Sequence, residues 1–83
     1  MSVPQVVLYG RADCHLCDEM KAVVDEVRRD VALELTVVDV DTDPALVERY
    51  GLEVPVLLVD GRKAFKYRVD AAALRRRLAR GSA

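Results

Sequence analysis

The chain has 83 residues, 52% hydrophobic and 33% charged, with three prolines and four glycines. That is the balance of one folded globular domain, and it excludes disordered, collagen-like and low-complexity chains. Thirteen basic and fourteen acidic side chains leave a net charge of −1, which argues against binding nucleic acid by whole-molecule attraction.

At the start, Met1-Ser2-Val3-Pro4-Gln5 carries no basic residue and no apolar core, so no secretory leader is expected and the cytoplasm is the expected location. Val6-Val7-Leu8-Tyr9 is short, β-branched and apolar and stops at Gly10, which predicts a buried strand. Arg11-Ala12-Asp13 is a loop. From His15 the period changes. Leu16, Met20, Val23, Val24 and Val27 form one stripe of a helix over 15–29, with Asp18, Glu19, Lys21, Asp25, Glu26, Arg28 and Arg29 around it. Asp25 is spaced to pair with Arg28 or Arg29. Leu33 to Val37 alternates and the phase switches at Val38, which predicts a second strand with a shift or bend near Val37-Val38. Asp43 and Pro44 suit the N-cap and first position of a second helix, with Leu46, Val47 and Tyr50 on its apolar face and Gly51 as its stop.

Residues 54–59 make the longest apolar run, six residues interrupted by Pro55. A membrane-spanning helix needs about 20, so no membrane association is expected. Val56 to Val59 predicts a strand buried on both faces, and Asp60-Gly61 a hairpin turn. In the returning strand Phe65, Tyr67 and Val69 share one face and Arg62, Lys66 and Arg68 the other, a cationic pattern that suits a sheet edge. Asp70 caps a last helix with Ala71, Leu74 and Leu78 inward. Arg75, Arg76, Arg77 and Arg80 lie toward its C-terminal end, where the helix dipole favours them, and Gly81 ends it. The order is β-α-β-α-β-β-α: one α/β domain over 1–83, its first β-α-β a right-handed crossover between parallel strands. Charge is uneven along it. Residues 1–59 hold five basic and twelve acidic side chains, residues 60–83 eight and two. An ordinary solvated face is the simpler meaning, and a surface for an acidic protein the alternative.

The only cysteines are Cys14 and Cys17. A bridge this short would constrain the unfolded chain by roughly 2 kcal/mol, against about 4.7 for a 100-residue loop, so it is no structural staple. The pair is redox chemistry, half of a metal site, or two buried small residues, and Cys-x-x-Cys beside a β-α-β unit points to the first. Cys14 falls at the mouth of the first helix. Free N–H groups and the dipole there favour a thiolate, lowering the pKa from about 8.5 toward roughly 3.5–7.5. Only a thiolate attacks a disulfide, and Cys17, one turn on, is placed to resolve the product. A protonated His15 would favour the thiolate further, while Asp13, Asp18 and Glu19 oppose it; a solvated first-turn histidine is the alternative. Two cysteines and one histidine are too few for a tetrahedral metal site in one chain, and no metal is assigned.

The run Val7-Leu8-Tyr9-Gly10-Arg11-Ala12-Asp13-Cys14-His15-Leu16-Cys17, with Glu53-Val54-Pro55 ahead of the third strand, resembles a glutaredoxin of the thioredoxin fold. It is most similar to the small glutaredoxin-like proteins with Cys-His-Leu-Cys. The resemblance implies a four-stranded mixed sheet of order 2-1-3-4 with three helices. It also implies Cys14 as nucleophile, Cys17 as resolving thiol, Pro55 as a cis-proline facing them, and Val54 offering backbone groups to an extended thiol substrate. Arg11 matches a basic residue that glutaredoxins often place near the glutathione carboxylate, with a solvated loop arginine as the alternative. The implied protein is a monomeric thiol–disulfide oxidoreductase without bound cofactor. It would act on protein or small-molecule disulfides and be regenerated by a glutathione- or thioredoxin-type reductase. Glutathione-binding members carry Gly-Gly near the end of the fourth strand, where this chain has Phe65-Lys66, and an aromatic where it has Leu16. Asp70 is accounted for as a cap. These departures speak against glutathione more than against disulfide exchange. An iron–sulfur module sharing a cluster across a dimer, as some glutaredoxins do, and a non-catalytic binding module are the alternatives.

Overall fold

Apolar residues at alternate and continuous positions make β1 (Gln5–Gly10) the strand around which the rest assembles. The structure is a computed structural model that describes residues 3–81; Met1-Ser2 and residues 82–83 of the expected 1–83 domain lie outside that description. β2 (Glu34–Asp39) pairs with β1 in parallel, from Gln5 opposite Glu34 to Gly10 opposite Asp39. β3 (Val56–Val59) pairs antiparallel on the other side, from Val6 opposite Val59 to Tyr9 opposite Val56. β4 (Arg62–Lys66) completes the order β2-β1-β3-β4. The helices are α1 (His15–Arg28), α2 (Pro44–Tyr50) and α3 (Ala71–Gly81), with a 3-10 turn at Val40–Thr42 that periodicity did not announce. The expected order and mixed sheet are therefore present.

Strand alternation sorts the core into two layers. Val6, Leu8, Leu57 and Val59 meet Met20, Val24, Val27, Leu74 and Leu78 of α1 and α3, all at most 2% exposed. On the other side Val56, Val40 and Tyr50 form a smaller layer with Tyr9, Leu46, Val54 and Leu58 packed against it. Each fully buried aliphatic side chain contributes roughly 1.5–3 kcal/mol. The larger layer thus fixes α1, the helix that carries both cysteines.

Two strand expectations need correction. β2 has no shift at Val37-Val38, because its register with β1 is unbroken. The change of phase has another cause: Leu33 and Leu35 pack on the α1/α3 layer, Val40 drops into the α2 layer, and Val37 between them is 52% exposed on the edge strand. In β4, Leu57 pairs with Phe65 but Leu58 with Lys63, leaving Ala64 as a bulge. Arg62 and Lys66 then lie opposite Val59 and Val56, on different faces. The strand stops before Tyr67, whose φ of 68° is left-handed. Phe65 and Val69 pack on the α1/α3 layer, Tyr67 beyond the strand's end is 43% exposed, and all three line one groove beside α1.

The turns follow their residues. Asp60 and Gly61 both have positive φ (51° and 84°), as a two-residue hairpin requires. Asp43 accepts the Ala45 N–H at 2.9 Å ahead of Pro44, and Asp70 accepts the Ala73 N–H at 2.7 Å, so both act as helix caps. Among the described residues no helix is long and apolar enough to cross a membrane.

Candidate functional site

After β1 the loop Arg11-Ala12-Asp13 turns the chain into α1. Asp13 is left-handed (φ 58°), a conformation aspartate tolerates. Cys14 follows in extended backbone (φ −102°, ψ 109°) as the N-cap of α1. Its sulfur does what a serine or aspartate oxygen does elsewhere: the Cys17 N–H donates to Cys14 Sγ at 3.2 Å. The Cα atoms of Cys14 and Cys17 are 5.2 Å apart and their sulfurs form a disulfide. The two are unequally open. Cys17 is 6% exposed, whereas Cys14 is only half-buried. Gly10 makes room for the inner cysteine, since a Cβ there would lie 3.2 Å from both Cβ and Sγ of Cys17.

Pro55 is buried and follows a cis Val54–Pro55 peptide bond. Val56 pairs with Tyr9, so Pro55 reaches the end of the sheet from which the cysteine loop departs. The Tyr67 N–H donates to the Pro55 carbonyl at 2.8 Å, and the Tyr67 hydroxyl to the Leu52 carbonyl at 3.3 Å. Among the described residues the Val54 N–H and carbonyl have no hydrogen-bond partner. Glu53 pairs with Lys63, and with Lys66 at 3.8 Å. The Lys63 hydrogen bond, with the charges of both lysines, holds the Glu53 carboxyl below its ordinary value against an opposing effect of desolvation.

Arg11 and His15, and also Tyr9 and Asp25, are placed as follows. Arg11 does not stand free: its guanidinium pairs with Asp41 at 3.1 Å and donates to the Gly51 carbonyl at 3.4 Å, tying the cysteine loop to the end of α2. The His15 side chain is 89% exposed and runs along α1 to Glu19, with Nε2 3.1 Å from Oε2. Tyr9 stacks on Tyr50 at 4.5 Å as a sheet-face aromatic. Asp25 pairs with Lys21 at 2.7 Å and with Arg28 at 3.6 Å. Among the described residues no group of three or more His, Cys, Asp or Glu is placed to hold a metal. Two features escaped the sequence reading. One is Tyr67 as the clamp on the Pro55 loop, since alternation put it inside a strand. The other is a groove beside Leu16, because helical spacing put Leu16 in the core, where Cys17 sits instead.

The chain matches the glutaredoxin-like domain (DUF836) over residues 5–79. A Mycobacterium tuberculosis protein described as uncharacterized is 33% identical over 87 residues, covering 99% of this chain and 90% of its own. The structure of protein Ne2328 from Nitrosomonas europaea matches with a TM-score of 0.81 at 30% identity over 94% of each chain. Protein XcR50 from X. campestris matches with a TM-score of 0.76 at 38% identity over 90% of this chain and 96% of its own. At 24% identity, a thioredoxin variant from Halobacterium salinarum reaches a TM-score of 0.67 over 93% of this chain and 73% of its own, a likeness of fold alone. With a thioredoxin-like fold and a Cys14–Cys17 disulfide at the mouth of its first helix, the chain belongs to the glutaredoxin-like domain family (DUF836).

Proposed function

We propose that the protein is a dithiol–disulfide oxidoreductase in which Cys14 attacks and Cys17 resolves. The observation that carries this reading is the half-buried Cys14 at the start of α1, its sulfur accepting an N–H, with Cys17 buried one turn on. In the dithiol form the same N–H and the positive end of the helix favour a Cys14 thiolate. That thiolate attacks one sulfur of a substrate disulfide. The substrate S–S bond breaks, a mixed disulfide with Cys14 forms, and the other substrate sulfur leaves as a thiolate that takes a proton from water. Cys17 then gives its proton to water and attacks the Cys14 sulfur. The Cys14–Cys17 disulfide forms, the second substrate sulfur leaves and is protonated, and two electrons have passed to the substrate.

The unpaired Val54 N–H and carbonyl beside cis Pro55 support pairing with an extended substrate segment. Arg11, engaged by Asp41 and Gly51, serves as a positioning residue for the loop. His15 is an exposed residue of the first turn, its ring turned along α1 to Glu19 and not toward the disulfide. The substrates are protein or small-molecule disulfides, and a reducing compartment such as the cytoplasm suits a pair that must return to the dithiol. Phe65-Lys66 where glutathione-binding glutaredoxins carry Gly-Gly, and Leu16 in place of an aromatic, speak against glutathione, and regeneration falls to a glutathione- or thioredoxin-type reductase.

Trapping tests the assignment. Cys17→Ser incubated with oxidised insulin accumulates a mixed disulfide through Cys14, located by mass spectrometry of the digest. Trapping through Cys17 in Cys14→Ser alone would reverse the roles, and trapping in neither variant would remove the activity.

A further inference from the structure

The positive charge of the C-terminal part has a definite place in the fold. Residues 71–83 hold Arg75, Arg76, Arg77 and Arg80 and no acidic residue. Elsewhere the usual cation faces a carboxylate, as Arg11, Arg28, Lys63 and Arg68 do. On α3, Arg75 meets Asp30 at 3.2 Å, but among the described residues Arg76, Arg77 and Arg80 have no carboxylate partner. Positions 76, 77 and 80 share one arc of the helix, turned from Leu74 and Leu78, which are at most 2% exposed. Arg76 and Arg80 are exposed and Arg77 is half-buried. Like charges three and four residues apart destabilise a helix. The helix dipole offsets this only in the last turn, where Arg80 stands.

The surroundings narrow what neutralises that face. Arg76 and Arg80 are one turn apart, about 6 Å along the axis, which suits a row of carboxylates better than a single small anion. Among the described residues no large apolar side chain of α3 is exposed, so the face lacks what a helix needs to enter a bilayer surface. A polynucleotide, with one negative charge about every 1.7 Å, meets a chain of net charge −1 whose first 59 residues hold twelve acidic and five basic side chains. An acidic protein surface is less densely charged and needs only the local patch, where guanidinium forks take carboxylates two oxygens at a time. The patch is also remote from the sulfurs. Arg75 reaches Asp30 just past the C-terminal end of α1, whereas Cys14 caps its N-terminal end, fourteen helical residues or about 21 Å away.

We propose that the Arg76, Arg77 and Arg80 face of α3 docks a polypeptide partner through carboxylates spaced one helical turn apart, leaving Cys14 uncovered. The docking does not depend on the exchange reaction and holds in either redox state.

The test uses the full chain and a labelled synthetic alanine peptide with glutamates three and four residues apart, followed by fluorescence anisotropy at about 0.15 M ionic strength. The peptide binds, more weakly as salt rises, and in nuclear magnetic resonance it shifts the amides of α3 and not those of the cysteine loop. Arg76→Glu combined with Arg80→Glu weakens binding about tenfold, the factor that about 1.4 kcal/mol confers. Arg49→Glu combined with Arg62→Glu makes the same change of net charge elsewhere and weakens it clearly less. The reduced chain reacts with dithiodipyridine, a small neutral disulfide, at one rate with and without the peptide. No binding, shifts centred away from α3, equal losses in the two variants, or a slower reaction with dithiodipyridine once the peptide is bound would overturn the proposal. Tighter binding to a DNA duplex or to phosphatidylglycerol vesicles than to the peptide would overturn it too. The shift map of the unaltered protein decides even if the variants do not fold.

Discussion

On the α1/α3 side of the sheet the buried layer is aliphatic throughout and no member exceeds 8% exposure. On the α2 side it is built on Tyr9 stacked against Tyr50, with Arg49 and Lys63 lying 5.5 and 6.0 Å from the Tyr50 ring centroid. Around that aromatic pair run the Arg11–Asp41 and Glu53–Lys63 ion pairs. The first layer is non-directional burial, and it fixes α1 and hence both sulfurs. The second buries less and uses directional contacts, and those contacts reach the cysteine loop through Arg11 and the Pro55 loop through Glu53. One side therefore sets whether the protein folds, and the other sets how its site loops sit.

The largest expected effect comes from cutting the aliphatic side. Leu57→Ala removes a fully buried side chain from the centre of β3 and costs roughly 2–5 kcal/mol in urea unfolding of the oxidised protein. Leu58→Ala, one residue on and facing the α2 layer while half-buried, costs clearly less. Equal losses would erase the distinction between the layers. A smaller effect comes from the aromatic side. Tyr9→Leu keeps an apolar body but removes the stack, at a cost of roughly 0.5–1.5 kcal/mol, and leaves the reaction with dithiodipyridine intact. A loss as large as that of Leu57→Ala would show that the α2 layer carries the fold as well.

The two sides also differ in how far they can be read from the amino acids. The aliphatic layer follows from period. Val6 and Leu8, Met20, Val24 and Val27, and Leu74 and Leu78 all repeat at strand or helix spacing and are all buried. The cysteine pair at the mouth of α1 follows from where Gly10 stops a strand and where the helical stripe begins. Leu16 misleads, because a stripe of period near four fits it as well as Cys17, and only the close approach to Gly10 decides which turns inward. The α2 side is less readable, since its contacts join residues far apart in the chain. Arg11 with Asp41 and Glu53 with Lys63 have no local signature. The Ala64 bulge and left-handed Tyr67 are likewise imposed by pairing with β3 and by the Pro55 carbonyl, against the local preference of alanine and tyrosine.

The finest distinction is titratable. Because the Lys63 hydrogen bond and the two lysine charges lower the Glu53 carboxyl below its ordinary 4.5, the charged form is favoured by the folded state. Its contribution to stability is therefore complete above the unfolded value and fades as pH falls through the lowered folded one. Nuclear magnetic resonance titration of the Glu53 side chain should give a midpoint below 4.5, and Lys63→Met should return it toward that value. An ordinary midpoint that Lys63→Met leaves unmoved would remove the ion pair from the account. Glu53→Gln then separates stability from function. It should lose only a small, acid-sensitive part of the unfolding free energy, because the pair is open to water. If it also slows reduction of a peptide disulfide while sparing dithiodipyridine, the α2 side acts on the site through the segment ahead of Pro55. If both oxidants are unaffected, that segment is held by Tyr67 and by the Glu53 N–H on the Tyr50 carbonyl, and the Glu53 ion pair serves stability only.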